Sequence, residues 1–103
     1  MPSEADGQTQ GTLRLCPEQV RELLPQREPF VFVNGPADIV PGIRVTAETT
    51  YAEGSAFYEG HFPGMPLTPG VIIIETMAQA ASLMMLAMPQ YAGQIAYLVG
   101  IRD

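Results

Sequence analysis

The alternation of apolar and polar residues predicts a short helix followed by a β-hairpin. Residues 17–24, PEQVRELL, begin with a proline suited to a first helical turn and form one apolar face. Residues 30–33, FVFV, are an apolar run of strand-forming residues, and residues 37–40 resume it after a break. Residues 43–51 alternate cleanly, which is typical of a half-buried strand paired with the preceding one. Their inward side comprises Ile43, Val45, Ala47 and Tyr51.

A long helix predicted over residues 71–87 is apolar on nearly every side. Its main polar residues, Glu75, Gln79 and Ser82, fall on one stripe at i, i+4 and i+7. Such a helix needs to be covered all round. The hairpin and one further strand, predicted at residues 95–99, offer too little surface. We therefore expect that a partner chain, or more of a larger domain, covers the rest.

Composition limits the number of domains and excludes several classes of function. The 103 residues suffice for one domain, and a net charge of −6 argues against nucleic acid or an anionic membrane as the main partner. The apolar helix is too short and too polar to span a membrane. One Cys and one His provide too few ligands for a zinc site. Residues 1–11 are predicted to be a disordered polar tail without signal-peptide character, so we expect a cytoplasmic domain over residues 12–103.

The only histidine of the chain and the lone acid of the long helix form a candidate acid–base pair. His61 lies in a Gly- and Pro-rich loop, and an imidazole can accept a proton near neutral pH. Glu75 is flanked by apolar residues, where a carboxylic acid can act as a general acid, and Gln79 is placed to hydrogen-bond it. Gly70 opens the helix, where a free N–H can polarise a carbonyl oxygen. A lone His or a surface Glu is often purely structural, so the pattern is a hypothesis.

Four segments carry a resemblance to a known family. They are LPQREPF at 24–30, PG at 41–42, EGHFPGMPLTPGVIIIETMAQAA at 59–81 and AYLVGI at 96–101. Together they resemble the β-hydroxyacyl-(acyl-carrier-protein) dehydratases of fatty-acid synthesis, the FabZ type, over roughly residues 20–102. The GHFPG sequence and the glutamate fourteen residues after its histidine are specific features of the resemblance.

The resemblance implies an α+β hot-dog fold, in which an antiparallel sheet wraps around one long central helix. It implies dimers, which group as trimers of dimers, with the histidine of one subunit facing the glutamate of the other. His61 would then remove the C2 proton of a 3-hydroxyacyl thioester, and Glu75 would protonate the departing C3 hydroxyl. The Gly70 N–H would bind the thioester oxygen, and Gln79 would orient Glu75.

The resemblance also implies a substrate tunnel and an acidic protein partner. The tunnel would be lined by Phe62, Pro69 and Val71. The acyl chain would arrive on the phosphopantetheine arm of an acyl carrier protein, and no metal or redox cofactor is implied. Carrier proteins are acidic, and the body of this chain offers few basic residues for docking them: Arg14, Arg21, Arg27 and Arg44.

Two departures from the family keep other functions open. The family continues for several strands beyond the position of Asp103, and its acidic residue in the first strand is replaced around Asn34-Gly35. The fold is therefore expected to be incomplete in this chain. A second hypothesis beside the dehydratase is therefore a truncated, non-catalytic hot-dog module that needs a partner chain. A hot-dog thioesterase, in which the helix carboxylate directs water at the thioester, is a third hypothesis that does not require His61.

Overall fold

A small antiparallel sheet packs against one long helix. The computed structural model describes residues 11–102, so most of the predicted tail, residues 1–10, lies outside the described residues. The elements in chain order are β1 (Leu13–Leu15), α1 (Pro17–Leu23), β2 (Ala37–Val40), β3 (Arg44–Ala47), α2 (Phe57–Gly60), α3 (Gly70–Leu86) and a 3-10 turn (Pro89–Tyr91). Both predicted helices are thereby confirmed, each within one residue of its expected bounds.

The three strands pair in the order β1-β2-β3, all antiparallel. Ile39 lies at the centre, opposite Leu13 on one side and Val45 on the other, and is fully buried. Gly42, with φ +74°, makes the tight turn between β2 and β3. The predicted hairpin is therefore confirmed, although β3 ends at Ala47 rather than near Tyr51.

The apolar run at 30–33 is not a strand, which corrects the sequence prediction. Its backbone groups bond side chains instead of a neighbouring strand. The Gln79 side chain accepts a hydrogen bond from Phe32 N at 2.9 Å and donates one to the Phe30 carbonyl at 2.8 Å. The apolar composition of the run indicates an extended segment. It carries no information on which groups bond the backbone N–H and carbonyl groups of that segment.

The Asn34 side chain makes hydrogen bonds to a backbone segment that has no neighbouring strand among the described residues. Its side-chain Nδ2 donates to the Thr50 carbonyl at 2.8 Å, and its Oδ1 accepts from Thr50 N at 2.9 Å. The amide thus bonds Thr50 as a neighbouring backbone would. Beyond it, the Gly35 N–H donates to the Glu48 carbonyl at 3.0 Å. The chain from Asn34 to β2 is consequently fixed to the segment that follows β3.

The long helix α3 buries only one face within this single chain, as expected from the small surface that the chain offers, and its covering by a partner chain stays a prediction. The buried positions follow a helical stripe toward the sheet: Thr76, Gln79, Leu83 and Leu86. The opposite side is apolar and open to solvent, with large side chains at Val71, Ile73, Ile74, Met77 and Met85. Three short strands are too narrow to cover both faces of a helix of 17 residues.

The core lies where α1, β2 and α3 meet. It comprises Val20, Leu24, Val33, Ala37, Ile39 and Leu83. The strand predicted at 95–99 is absent, because no strand among the described residues pairs with that segment. Tyr97 and Val99 are 82% and 96% exposed.

Candidate active site

Glu75 lies in α3 at the border between its buried and open faces. Its Oε2 accepts a hydrogen bond of 3.1 Å from Gln79 Nε2, one helical turn later. Ser82, the third residue of the predicted polar stripe, donates to the Gln79 carbonyl at 2.7 Å and stays within the helix. The stripe therefore consists of one carboxylate, one amide that holds it and one hydroxyl that bonds backbone.

The Gln79 amide has a single orientation that satisfies its neighbours. Phe32 N is a donor, so the atom facing it must be the oxygen, and the Phe30 carbonyl requires a donor from the nitrogen. The second N–H of the same nitrogen points at Glu75 Oε2. All of this amide's hydrogens are assigned. A proton carried by Glu75 consequently belongs on Oε1, because Oε2 already accepts from Gln79.

Glu75 and Gln79 line an open, mainly apolar cavity of about 320 Å³. Its other walls are the apolar side chains of α3 beyond Glu75, the loop before residue 30, and the segment after the 3-10 turn. The lining residues outside the Glu75–Gln79 pair are Gln26, Ala78, Ala81, Ser82, Met84, Met85, Ala96, Tyr97 and Leu98. The carboxyl group is therefore accessible to a small molecule whose body is apolar.

The loop after α2 holds His61 by two contacts to the same residue. The His61 carbonyl accepts from Leu67 N at 2.9 Å, and its ring Nδ1 lies 2.8 Å from the Leu67 carbonyl. A carbonyl only accepts, so Nδ1 carries the hydrogen and Nε2 of the neutral ring is left as the basic nitrogen. The ring stacks on Phe62 at 4.0 Å between centroids. The peptide bond between His61 and Phe62 is cis.

The remainder of this loop closes on itself through short contacts. Phe62 and Met65 exchange both backbone hydrogen bonds, at 2.8 and 2.9 Å. The Tyr58 hydroxyl bonds Thr68 Oγ1 at 2.6 Å. Gly64 turns the chain with φ +74°, a conformation that favours glycine. His61 thus lies in a loop that is held together by its own hydrogen bonds.

Gly70 is the first residue of α3, preceded by Pro69 as the N-cap. No acceptor in residues 11–102 bonds its N–H, as is usual in a first helical turn. A Cβ built on Gly70 would meet no atom within 4 Å. The space on the Cβ side of Gly70 is therefore open in the single chain.

The predicted tunnel residues lie near the start of α3, and the structure does not join them into one wall. Phe62 is 43% exposed beside the His61 ring, and Val71 is 71% exposed on the open face. Pro69 is half-buried. None of these three lines the cavity at Glu75. Their role as a tunnel wall stays a prediction.

The structure brings Gln79 to Glu75, and it does not join His61 to Glu75. Within the described part of the chain, no hydrogen bond links the imidazole to the carboxylate. No cluster of three or more potential metal ligands occurs in residues 11–102. In the same range, no helix has the length and apolar character needed to cross a bilayer.

Three of the four arginines considered for docking a carrier are already engaged. Arg14 pairs with Asp38 at 2.9 Å. Arg21 pairs with Glu28, and this hydrogen-bonded partner lowers the pKa of Glu28 to about 2. Arg27 donates to three backbone carbonyls at the end of α1, and the fourth arginine is exposed in β3.

Sequence reasoning missed one polar contact to α3 and one unpaired atom. The Tyr51 hydroxyl bonds Thr76 Oγ1 at 2.7 Å, which explains why a threonine is buried in the helix. Gln26 Oε1 is buried without a partner in the described chain, and Gln26 lines the same cavity as Glu75. Gln26 lies within the LPQREPF segment, but nothing in the spacing of that segment indicates where its amide points.

Comparison with known proteins adds a family. The family model described as the FabA-like domain matches residues 24–100. A curated relative from Enterococcus faecalis, named 3-hydroxyacyl-(acyl-carrier-protein) dehydratase FabZ, is 38% identical over 89 residues, which are 86% of this chain and 63% of the relative. Relatives of the same name from Lactiplantibacillus plantarum and Pediococcus pentosaceus are 39% and 41% identical, and each match covers 82% and 81% of this chain and 58% and 56% of the relative. The chain spans about three fifths of the length of these curated relatives.

Proposed function

The chain belongs to the FabA-like domain family, and from this premise we propose that it takes part in the dehydration of 3-hydroxyacyl-(acyl-carrier-protein) to the trans-2-enoyl product. The activity would be that of a hydro-lyase in fatty-acid or related acyl-chain biosynthesis. The hot-dog fold of this family agrees with an antiparallel sheet lying on one long helix. The names of the relatives give the reaction class, and the residues of this chain support the roles proposed below.

The observation that carries the proposal is the Glu75 carboxyl group held by Gln79 at the wall of an apolar cavity. Elimination of water needs an acid beside the departing hydroxyl, because hydroxide is a poor leaving group. Gln79 fixes one oxygen of that acid and leaves Oε1 to carry the proton. An acyl chain would lie against the apolar walls while its C3 hydroxyl meets Glu75.

The base of the proposed reaction is His61 Nε2. Its other ring nitrogen is held by the Leu67 carbonyl, so Nε2 of the neutral ring has a free lone pair. It would remove the C2 proton, and the electron pair of the C2–H bond would form the C2–C3 double bond. The C3–O pair would take the Glu75 proton and leave as water. The Gly70 N–H at the positive end of α3 would bind the thioester oxygen while charge develops there.

The two catalytic groups would come from different subunits. Within one chain no hydrogen bond joins His61 to Glu75, and the open apolar face of α3 leaves a surface for a second subunit. A homodimer, with further association into trimers of dimers, would place His61 of one subunit opposite Glu75 of another. Every proton transfer in this scheme is assigned to a protein side chain, and the acyl group would be delivered on phosphopantetheine. The proposal keeps an acyl carrier protein as partner and the cytoplasm as compartment.

The test measures elimination by the purified protein on a 3-hydroxyacyl thioester. We expect enoyl product from the native protein, and losses of roughly 100-fold or more in Glu75→Gln and in His61→Ala. Glu59→Gln is the matched control, because Glu59 is exposed in α2 and should leave the rate unchanged. Equal rates in the native protein and Glu75→Gln would contradict the assignment of the acid.

One observation also favours a module that needs a second chain. The open face of α3 carries five large apolar residues, each at least 40% exposed. Solution mass and thermal melting separate the two hypotheses: a cooperatively melting homo-oligomer with activity supports the enzyme. An inactive monomer that gains a cooperative transition only with another chain supports the module. A thioesterase would instead release free thiol, and His61→Ala would retain that release.

A further inference from the structure

Gln26 lines the cavity that contains Glu75, and its side chain carries a buried acceptor. Its side-chain Oε1 is shielded from solvent and has no hydrogen-bond partner among the described residues. Gln26, Glu75 and Gln79 are the amide and carboxyl side chains that line this cavity. A buried carbonyl oxygen without a donor is unfavourable by about 1–3 kcal/mol. A group that enters the cavity with a free O–H or N–H would remove that cost.

The segment that carries Gln26 is held in place, so the missing partner does not reflect a loose loop. The Arg27 guanidinium Nη1 donates to the carbonyls of Leu24 and Gln26, at 2.8 and 2.6 Å. The backbone carbonyl of Arg27 in turn accepts a hydrogen bond from the Phe30 N–H at 2.9 Å. Phe30 then bonds Gln79. The backbone of Gln26 is thus fixed relative to the amide that holds Glu75.

A 3-hydroxyl group that is about to leave has a specific hydrogen-bonding requirement. Its oxygen must offer a lone pair to the proton on Glu75. Its own hydrogen must then point elsewhere, toward an acceptor that does not compete for the Glu75 proton. The Gln79 oxygen already accepts from Phe32 N, and Gln79 is only 1% exposed, so this oxygen is a poor acceptor for a ligand. Gln26 Oε1 is a buried amide oxygen of the cavity lining that has no partner among the described residues.

We propose that Gln26 is a substrate-binding residue whose side-chain amide turns its Oε1 into the cavity, where this oxygen accepts the hydrogen bond of the substrate's 3-hydroxyl. This inference rests on the proposed dehydratase function and adds a residue to it. The hydroxyl keeps its own hydrogen throughout. When the C3–O bond breaks, the oxygen takes the Glu75 proton and departs as water. One hydrogen of that water then faces Gln26 and the other faces the Glu75 carboxylate.

The test compares two ligands that differ only in the 3-hydroxyl. 3-Hydroxyoctanoyl-pantetheine and octanoyl-pantetheine are titrated against the Glu75→Gln protein, in which turnover is suppressed. The hydroxylated ligand is expected to bind roughly two- to tenfold more tightly, the range of one hydrogen bond. Adding Gln26→Met, which keeps the length of the side chain and removes the acceptor, should abolish this difference. Adding Gln90→Met, at an exposed residue of the 3-10 turn, should preserve it.

Stability supplies a second readout. Since Oε1 has no partner to lose, Gln26→Met should melt no lower than its parent. A clear fall in melting temperature would mean that the amide bonds protein groups, and would overturn the proposal. An unchanged binding ratio in Gln26→Met would also overturn it.

The outcomes separate this inference from the proposed function. If the native protein converts 3-hydroxyoctanoyl-pantetheine to the enoyl product and Gln26→Met leaves the ligand ratio unchanged, only the role of Gln26 fails. If the native protein gives no product and its Glu75→Gln variant binds neither ligand, the dehydratase function and the role of Gln26 fail together. Loss of the ratio in Gln26→Met with turnover in the native protein supports both.

Discussion

Gln79 should hold both the fold and the acid in place, and Gln79→Leu tests this. The side chain is 1% exposed and makes three hydrogen bonds, to Phe30, Phe32 and Glu75. Leucine has nearly the same volume, so the change removes polar contacts without leaving a large cavity. Phe32 is buried and its N–H would lose its acceptor, at a cost of about 1–3 kcal/mol. Phe30 is 49% exposed, so its carbonyl can turn to water at little cost.

The measurement is unfolding of the native and variant proteins by heat and by urea. A loss of about 1–3 kcal/mol corresponds to a fall in melting temperature of at least about 4 °C for a domain of this size. The control is Gln90→Leu, at an exposed glutamine, which should change the free energy of unfolding by less than about 0.5 kcal/mol. If Gln79→Leu unfolds with the midpoint of the native protein, Phe32 N has another acceptor, and the assigned orientation of the amide is wrong. Elimination activity should fall as well, because Glu75 loses the donor on Oε2.

Two further predictions concern the start of α3 and the loop after α1. Gly70→Pro removes the N–H at the first position of α3, where proline is tolerated after the extended Pro69, so stability should change little while elimination activity falls. Gly70→Ala keeps the N–H and adds a Cβ that meets no atom within 4 Å, so it is the matched control, and full activity in Gly70→Pro would contradict the role of this N–H. The Arg21 hydrogen bond holds the pKa of Glu28 at about 2 against an ordinary 4.5, so the stability contributed by this pair is present above about pH 4.5 and is lost as the pH falls through 2. NMR titration of Glu28 should show its midpoint rising toward 4.5 in Arg21→Ala, and an unchanged midpoint would exclude Arg21 as the cause.

The two helices are the elements that the sequence predicted well, because each is specified by a local pattern of residues. Helix α1 begins at Pro17 and buries Val20, and Leu24, the residue that caps it, is buried beside it, as the spacing indicates. Helix α3 follows from a continuous run of helix-forming apolar residues. The resemblance to FabZ-type dehydratases is confirmed by the family match over residues 24–100. It was recognisable from the sequence because its motif is long.

The errors arise where a distant residue decides the local structure. Residues 30–33 have the composition of a strand, yet their backbone bonds Gln79, about 47 residues away in the chain. Residues 95–99 also have that composition, but a strand forms only when a neighbouring strand offers its edge. Local propensity cannot report either condition, since both are set by which segments meet in the folded chain.

The candidate site shows the same division between local and distant information. The pairing of Glu75 with Gln79 is a spacing of four on one helix, and spacing alone predicts that contact. The pairing of His61 with Glu75 is a relation between subunits in our proposal, so no spacing within one chain can predict its geometry. Gln26 lies between these cases: its segment was recognisable, but its unpaired oxygen became evident only when the loop was placed beside α3. Since Arg27 fixes that loop and Gln79 fixes Glu75, both the acid and the proposed hydroxyl acceptor depend on the packing of residues 24–32 against the helix. A change that loosens this packing should therefore weaken acid catalysis and hydroxyl recognition together, without any contact to the substrate.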